Sequence, residues 1–154
     1  MSDIKFNSQV CTNVEQSKRL LELGLKPETA DMHITNIGSK GINYTDDWQI
    51  GSTPYCNAIS FWNSNGLYLE KSDWCIYPAW SLHRLIELIP QDIHLDDYAD
   101  THYYLVIKPS RVLYLNDYKE WLYYNDDTNY YNRLIDCIRW AMEQKLFNKE
   151  YLKQ

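Results

Sequence analysis

The residues of this 154-residue chain best suited to metal or nucleophilic chemistry are four cysteines and four histidines. Cys11, Cys56, Cys75 and Cys137 show no CxxC pair, the short spacing by which one loop fixes two tetrahedral zinc ligands. Cys56 and Cys75 stand 19 positions apart. A second candidate is the segment 92–102, where His94 lies beside Asp96 and Asp97, and His102 follows Asp100. Imidazole and carboxylate together could hold a divalent ion, so His94, Asp96, Asp97 and His102 form the alternative metal set. The plainer expectation there is a solvated acidic loop. Asp46-Asp47 and Asp126-Asp127 lack the alternating acids and central glycine of a calcium loop.

Nucleophilic chemistry fares no better. Cys137 falls beside the apolar stripe of a helix and is expected to pack as a small hydrophobe. Ser60 and Ser81 sit in no nucleophile elbow, and neither a P-loop nor a GxGxxG motif is present. Paired acids for hydrolysis would have to come from Asp46, Asp47, Asp96, Asp97 or Asp100, and adjacent acids on one segment usually mark a turn. A small hydrolase-like or metal-dependent enzyme built on 92–102 is therefore the alternative. A non-catalytic protein with no cofactor is the main expectation.

Aromatic residues give the stronger lead. The chain has 14 Tyr and 6 Trp but only 3 Phe, and nine of the tyrosines fall between Tyr98 and Tyr131 with Trp121 among them. Tyr and Trp offer large contact area, few torsions to freeze and a polar tip, which suits them to interfaces. Alternation along the strands expected here suggests a face presenting Tyr104, Tyr114, Trp121 and Tyr123 together. That face would bind a protein partner or a second copy, with carbohydrate stacking as the lesser use. Cover by residues 36–77 is the competing expectation.

The elements that would position these residues follow from spacing. Thr12 and Glu15 suggest a capping box for a helix carrying Val14, Leu20 and Leu21, ended by Gly24. Asp31–Thr35 alternates as a short strand, and Cys56–Trp62 and Gly66–Glu70 suggest two more. Ser81 caps a second helix that Pro90 ends. Tyr103–Lys108, Val112–Leu115 and Glu120–Tyr124, joined by short turns, predict an antiparallel three-strand meander. The polar run Asn125–Asn129 supplies the cap of a last helix with Tyr131, Leu134, Ile135, Ile138, Ala141 and Met142 on one side. The expected fold class is α+β, an antiparallel sheet with a C-terminal three-strand meander packed against about three helices. One domain over 1–154 is expected, since no linker or repeat divides the chain.

Three runs resemble a family of short uncharacterised proteins from gut bacteria and their phages or mobile elements. They are Lys18–Met32, Pro78–Leu82 with the Leu/Ile-rich helix ending at Pro90, and Leu134–Trp140 before a short basic end. The likeness runs in the same order over most of the chain, with residues 36–77 outside it. The family has no assigned activity, so the resemblance implies a bacterial or phage accessory protein and supplies no site residue.

Composition narrows the partners. A net charge of −6 and a pI of about 5.1, with a balance of −3 in each half, leave no basic cluster for phosphates. Direct nucleic-acid binding is not expected, and the acids are too sparse for DNA mimicry. No apolar run reaches the roughly 20 residues of a spanning helix, and MSDIKFNSQV lacks a signal-peptide core. No membrane association is expected; a reducing cytoplasm with free thiols is.

Overall fold

The computed structural model describes residues 9–38, 41–64, 76–95 and 101–154. The chain is α+β: among the described residues four helices accompany two antiparallel sheets of three and four strands. The strand expected at Gly66–Glu70 lies outside the described residues, as do Cys75, Asp96, Asp97, Tyr98 and Asp100.

Helix α1 (Val14–Glu22) begins one residue later than the Thr12–Glu15 spacing suggests. Asn13 is its cap, and the reciprocal pair is Asn13 with Gln16: Gln16 N donates to Asn13 Oδ1 at 2.8 Å, and Asn13 N donates to Gln16 Oε1 at 3.1 Å. Thr12 has a different task. Its buried Oγ1 pairs with Ser17 Oγ at 2.8 Å and accepts from Trp80 N at 3.1 Å, fixing the start of α1 to the chain before the third helix. Gly24, at φ +98, closes the helix with Leu25 N donating to Leu20 O and Gly24 N to Leu21 O.

Strand β1 (Met32–Gly38) is the centre of the first sheet, between β2 (Gly41–Gly51) and β3 (Ile76–Ala79). Between β2 and β3 lies α2 (Tyr55–Ser64), which corrects the strand expected at Cys56–Trp62. The physical reason is visible in the spacing. Tyr55, Ala58, Ile59 and Trp62 recur at three and four residues, placing one apolar stripe against Ile76, and Pro54 O accepts from Ala58 N at 3.0 Å.

Helix α3 (Leu82–Leu88) is capped by Ser81 as expected, its Oγ accepting from Arg84 N at 3.1 Å. The Asp31 carboxylate takes both Ser81 N, at 2.9 Å, and Ser81 Oγ, at 2.5 Å. After Pro90 the chain enters the second sheet. It forms β4 (Asp92–Leu95), which extends the expected meander of β5 (Thr101–Lys108), β6 (Arg111–Leu115) and β7 (Trp121–Asn125) to four strands in the order β4-β5-β6-β7. Helix α4 (Tyr130–Glu143) follows, with Asn129 Oδ1 accepting from Asn132 N at 3.0 Å.

The main core forms where α1, α3 and α4 close over one face of the second sheet. Leu20, Leu85, Leu134, Ile135 and Ile138 are fully buried there against Val112 and Tyr114. Each such aliphatic side chain contributes about 1.5–3 kcal/mol by leaving water. Two smaller clusters, Cys11 with Ile34, Tyr77 and Ala79, and Ala58 with Ile76, join the first sheet to α1 and α2. Among the described residues no helix is long and apolar enough to cross a membrane.

Candidate functional site

Register decides which aromatic side chains meet. The two-residue turn Pro109-Ser110 joins Lys108 to Arg111, so Leu105 pairs with Tyr114 and Tyr104 with Leu115. Directly paired residues share a face. Tyr114 therefore lies on the inner face with Leu105 and Ile107, not beside Tyr104. On β7 the register shifts between Tyr114 and Leu115, pairing Tyr123 with Tyr114 but Trp121 with Leu115. This bulge sends Trp121 and Tyr123 to opposite faces.

The expected set Tyr104, Tyr114, Trp121 and Tyr123 is thus divided. Tyr114 is fully buried, its ring centroid 5.5 Å from that of Trp140 on α4 and its hydroxyl donating to Pro90 O at 2.6 Å. Tyr123 stacks on the same Trp140 at 4.8 Å, and its hydroxyl accepts from Asn125 Nδ2 at 3.0 Å. Burial raises both phenol pKa values, that of Tyr123 to about 12. These two rings are core. Tyr104 and Trp121 stay on the outer face, 45% and 64% exposed, and Tyr124 joins them at 40%. The alternation of β7 alone puts Tyr124 with the aliphatic side; the pairing of Leu113 with Tyr124 places it outside.

The outer face has two parts. Trp121 and Tyr124 form a tilted pair at 6.0 Å. On the far strands His94 lies opposite His102, the rings stacked at 4.3 Å and 13°, and His102 continues to Tyr104 at 6.5 Å and 16°. Asp92, opposite Tyr104, holds its carboxylate oxygens 3.4 Å from His102 Nδ1. The histidines of the alternative metal set are therefore cross-strand neighbours on a sheet. Asp96 and Asp97, their expected co-ligands, lie outside the described residues. Among the described residues no three His, Cys, Asp or Glu side chains are grouped to hold a metal ion.

No family model matches the chain, and no curated protein or solved structure matches it either. What it can do must be read from its own surfaces.

The described cysteines are chemically quiet. Burial pushes the Cys137 thiol up to about 12, offset in part by a hydrogen bond with Tyr114, and pushes Cys11 up to about 11, helped by the nearby Asp31 charge. Cys56 is exposed, yet its partial burial and Glu28 also raise it. A nucleophilic cysteine needs the opposite shift. Cys137 packs as the small hydrophobe expected of it.

Two of the cavities among the described residues lie elsewhere. A groove of about 420 Å³ between the start of α1 and the first sheet is lined by Val10, Cys11, Val14, Ile34, Trp48 and Ile50. A cavity of about 340 Å³ beside α2 is lined by His33, Thr53, Ala58, Phe61 and Trp62. There His33 lies directly over Gly51, where a Cβ would come within 2.1 Å of the ring, and its Nδ1 is 2.7 Å from Thr53 O. Neither cavity brings together the titratable groups that acid–base or acyl-transfer chemistry requires.

Proposed function

We propose that this protein is a non-catalytic binding protein that engages a protein partner through the outer face of its four-stranded sheet. One observation carries the reading. The inner face of that sheet is closed by α4, whereas Tyr104, Trp121 and Tyr124 on the outer face are each at least 40% exposed. Anchors of this kind dominate interface energetics when a partner desolvates them. The His94–His102 stack and Asp92 supply a polar flank to the aromatic centre. An acidic protein without a basic cluster is poorly suited to nucleic acid. The resemblance of Lys18–Met32, Pro78–Leu82 and Leu134–Trp140 to phage- and bacterium-borne proteins supports an accessory role. Unpaired Cys11, Cys56 and Cys137 favour a reducing compartment, the cytoplasm.

The test is capture on immobilised wild-type protein against Tyr104→Ser and Trp121→Ser variants whose circular dichroism matches wild type. A partner recovered by wild type and lost by both variants supports the proposal. A partner retained by both overturns it. Loss of an oligosaccharide instead, on a glycan array probed with the same variants, would make the rings a carbohydrate platform.

A further inference from the structure

We infer that His94 and His102 together bind one borderline divalent transition-metal ion, of the zinc or nickel type, which clamps the edge strand β4 to β5. The site borders the proposed partner surface but does not depend on it. Strand pairing brings the two rings as close as a sheet allows. Leu105 N donates to Gln91 O at 3.0 Å, which marks 105 and 91 as a hydrogen-bonded pair. Three steps along the register, His102 opposite His94 is a non-hydrogen-bonded pair, the kind whose Cα atoms approach to about 4.5 Å. Both side chains are exposed. The rings lie within 13° of parallel, their centroids 4.3 Å apart. Two nitrogens bound to one tetrahedral ion, each about 2.0–2.1 Å from it, stand roughly 3.3 Å from each other. A closure of about 1 Å, by small rotations of the two side chains, turns the stack into a chelate.

Asp92 prepares His102 for this contact. Both oxygens of its carboxylate stand 3.4 Å from His102 Nδ1. A carboxylate only accepts hydrogen bonds, so Nδ1 carries the proton and Nε2 keeps the lone pair that a metal takes. Carboxylates placed in this way fix the orientation of a ligating imidazole and raise its basicity. Asp92 is thus a positioning residue and not a ligand.

The donor type selects the ion. Imidazole nitrogen suits zinc, nickel and copper, whereas magnesium and calcium take shells of oxygen. The described residues group no third His, Cys, Asp or Glu side chain with the pair, so water fills the other positions and the ion exchanges readily. The two remaining histidines are engaged elsewhere: His33 Nδ1 is 2.7 Å from Thr53 O, and His83 Nε2 pairs with Glu87 at 2.9 Å. Strand β4 has β5 as its one strand neighbour in the sheet. An ion shared across that pairing would hold the edge against local opening.

Calorimetric titration with zinc chloride, with magnesium chloride as the control, tests the site. Wild type should bind one zinc ion and no magnesium. Saturating zinc should raise the melting temperature and slow hydrogen exchange of the β4 amides, since an ion that binds only the paired strands stabilises them by mass action. His94→Ala and His102→Ala, both at exposed positions, should each weaken zinc binding by about tenfold or more and remove both effects. Asp92→Ala should weaken it about tenfold, and Asp92→Asn, whose amide oxygen still accepts from Nδ1, should recover most of that loss. A wild-type protein that takes up no zinc overturns the proposal, as does zinc binding that both histidine variants retain. Tyr104→Ser separates this inference from the proposed function: it should cost partner capture and leave the zinc affinity unchanged.

Discussion

Tyr104 and Tyr114 stand on adjacent strands of one sheet and meet opposite fates. Tyr114 is enclosed between Trp140 and Pro90, with no exposed surface, and Tyr104 stands 45% exposed beside His102. Nothing in residue type separates them. The difference comes from the helix laid across one face and from the turn that fixes which tyrosine points toward it. A tyrosine-rich sheet can therefore serve as core and as surface at once, with the Tyr114 phenol bonded to a carbonyl on one side and the Tyr104 ring exposed on the other.

The contrast breaks most sharply at Tyr114. Tyr114→Ala leaves a ring-sized void under α4 and should destabilise by about 3–5 kcal/mol in urea unfolding. Tyr114→Phe keeps the ring but leaves the Pro90 carbonyl without its 2.6 Å donor, and about 1 kcal/mol is expected. If Tyr114→Ala lost no more stability than a surface substitution, the division into inner and outer faces would be wrong.

That division was largely open to a reader of the sequence. Pro109-Ser110 as a two-residue turn forces an even-numbered residue of one strand to face an odd-numbered residue of the next, so Tyr104 and Tyr114 cannot share a side. Treating each strand's alternation separately, without that turn, joins them. The bulge on β7 is another matter: no glycine marks it, and it leaves Leu122 packed on the core while Trp121 stays outside. Helix signals were the most legible. Ser81, Asn129 and Gly24 cap where their types suggest, because a side-chain oxygen or a left-handed backbone answers a local need. Thr12 misleads because a tertiary contact with Trp80 claims its hydroxyl. At α2 the apolar residues at 55, 58, 59 and 62 carried the helical period, and the β-favouring types between them masked it. The candidate site was half legible: Tyr104 and Trp121 are on the outer face, but Tyr124 reaches it only through register.

A second way to sharpen the contrast uses pH. The inner side holds protonated acids whose folded pKa values are raised: Cys137 from 9.0 to about 12, and Tyr123 and Tyr131 from 10.0 to about 12. Their neutral forms are favoured by folding, so the unfolded chain releases these protons first. Stability from these groups is full below pH 9 and falls as pH rises from their unfolded values toward about 12. Urea midpoints should decline between pH 9 and 11, and Cys137→Ala should flatten the early part of that decline. A decline of the same slope in Cys137→Ala would show that its thiol is not held neutral by the fold.

The smallest effect belongs to the outer face, and its smallness is the informative part. Tyr104 lies opposite Asp92 and Leu115, and Trp121 opposite Leu115. Exposed cross-strand pairs of this kind contribute about 0.2–1 kcal/mol each. Tyr104→Ser and Trp121→Ser should therefore cost no more than about 1 kcal/mol apiece. Both rings border Leu115, so the double variant should depart from the sum of the two losses by about 0.5 kcal/mol or more. A far larger loss would mean that the rings are buried by another part of the chain in solution. A loss within the expected range would leave two large aromatic side chains that the fold does not need, and their retention would then have to be explained by what binds them.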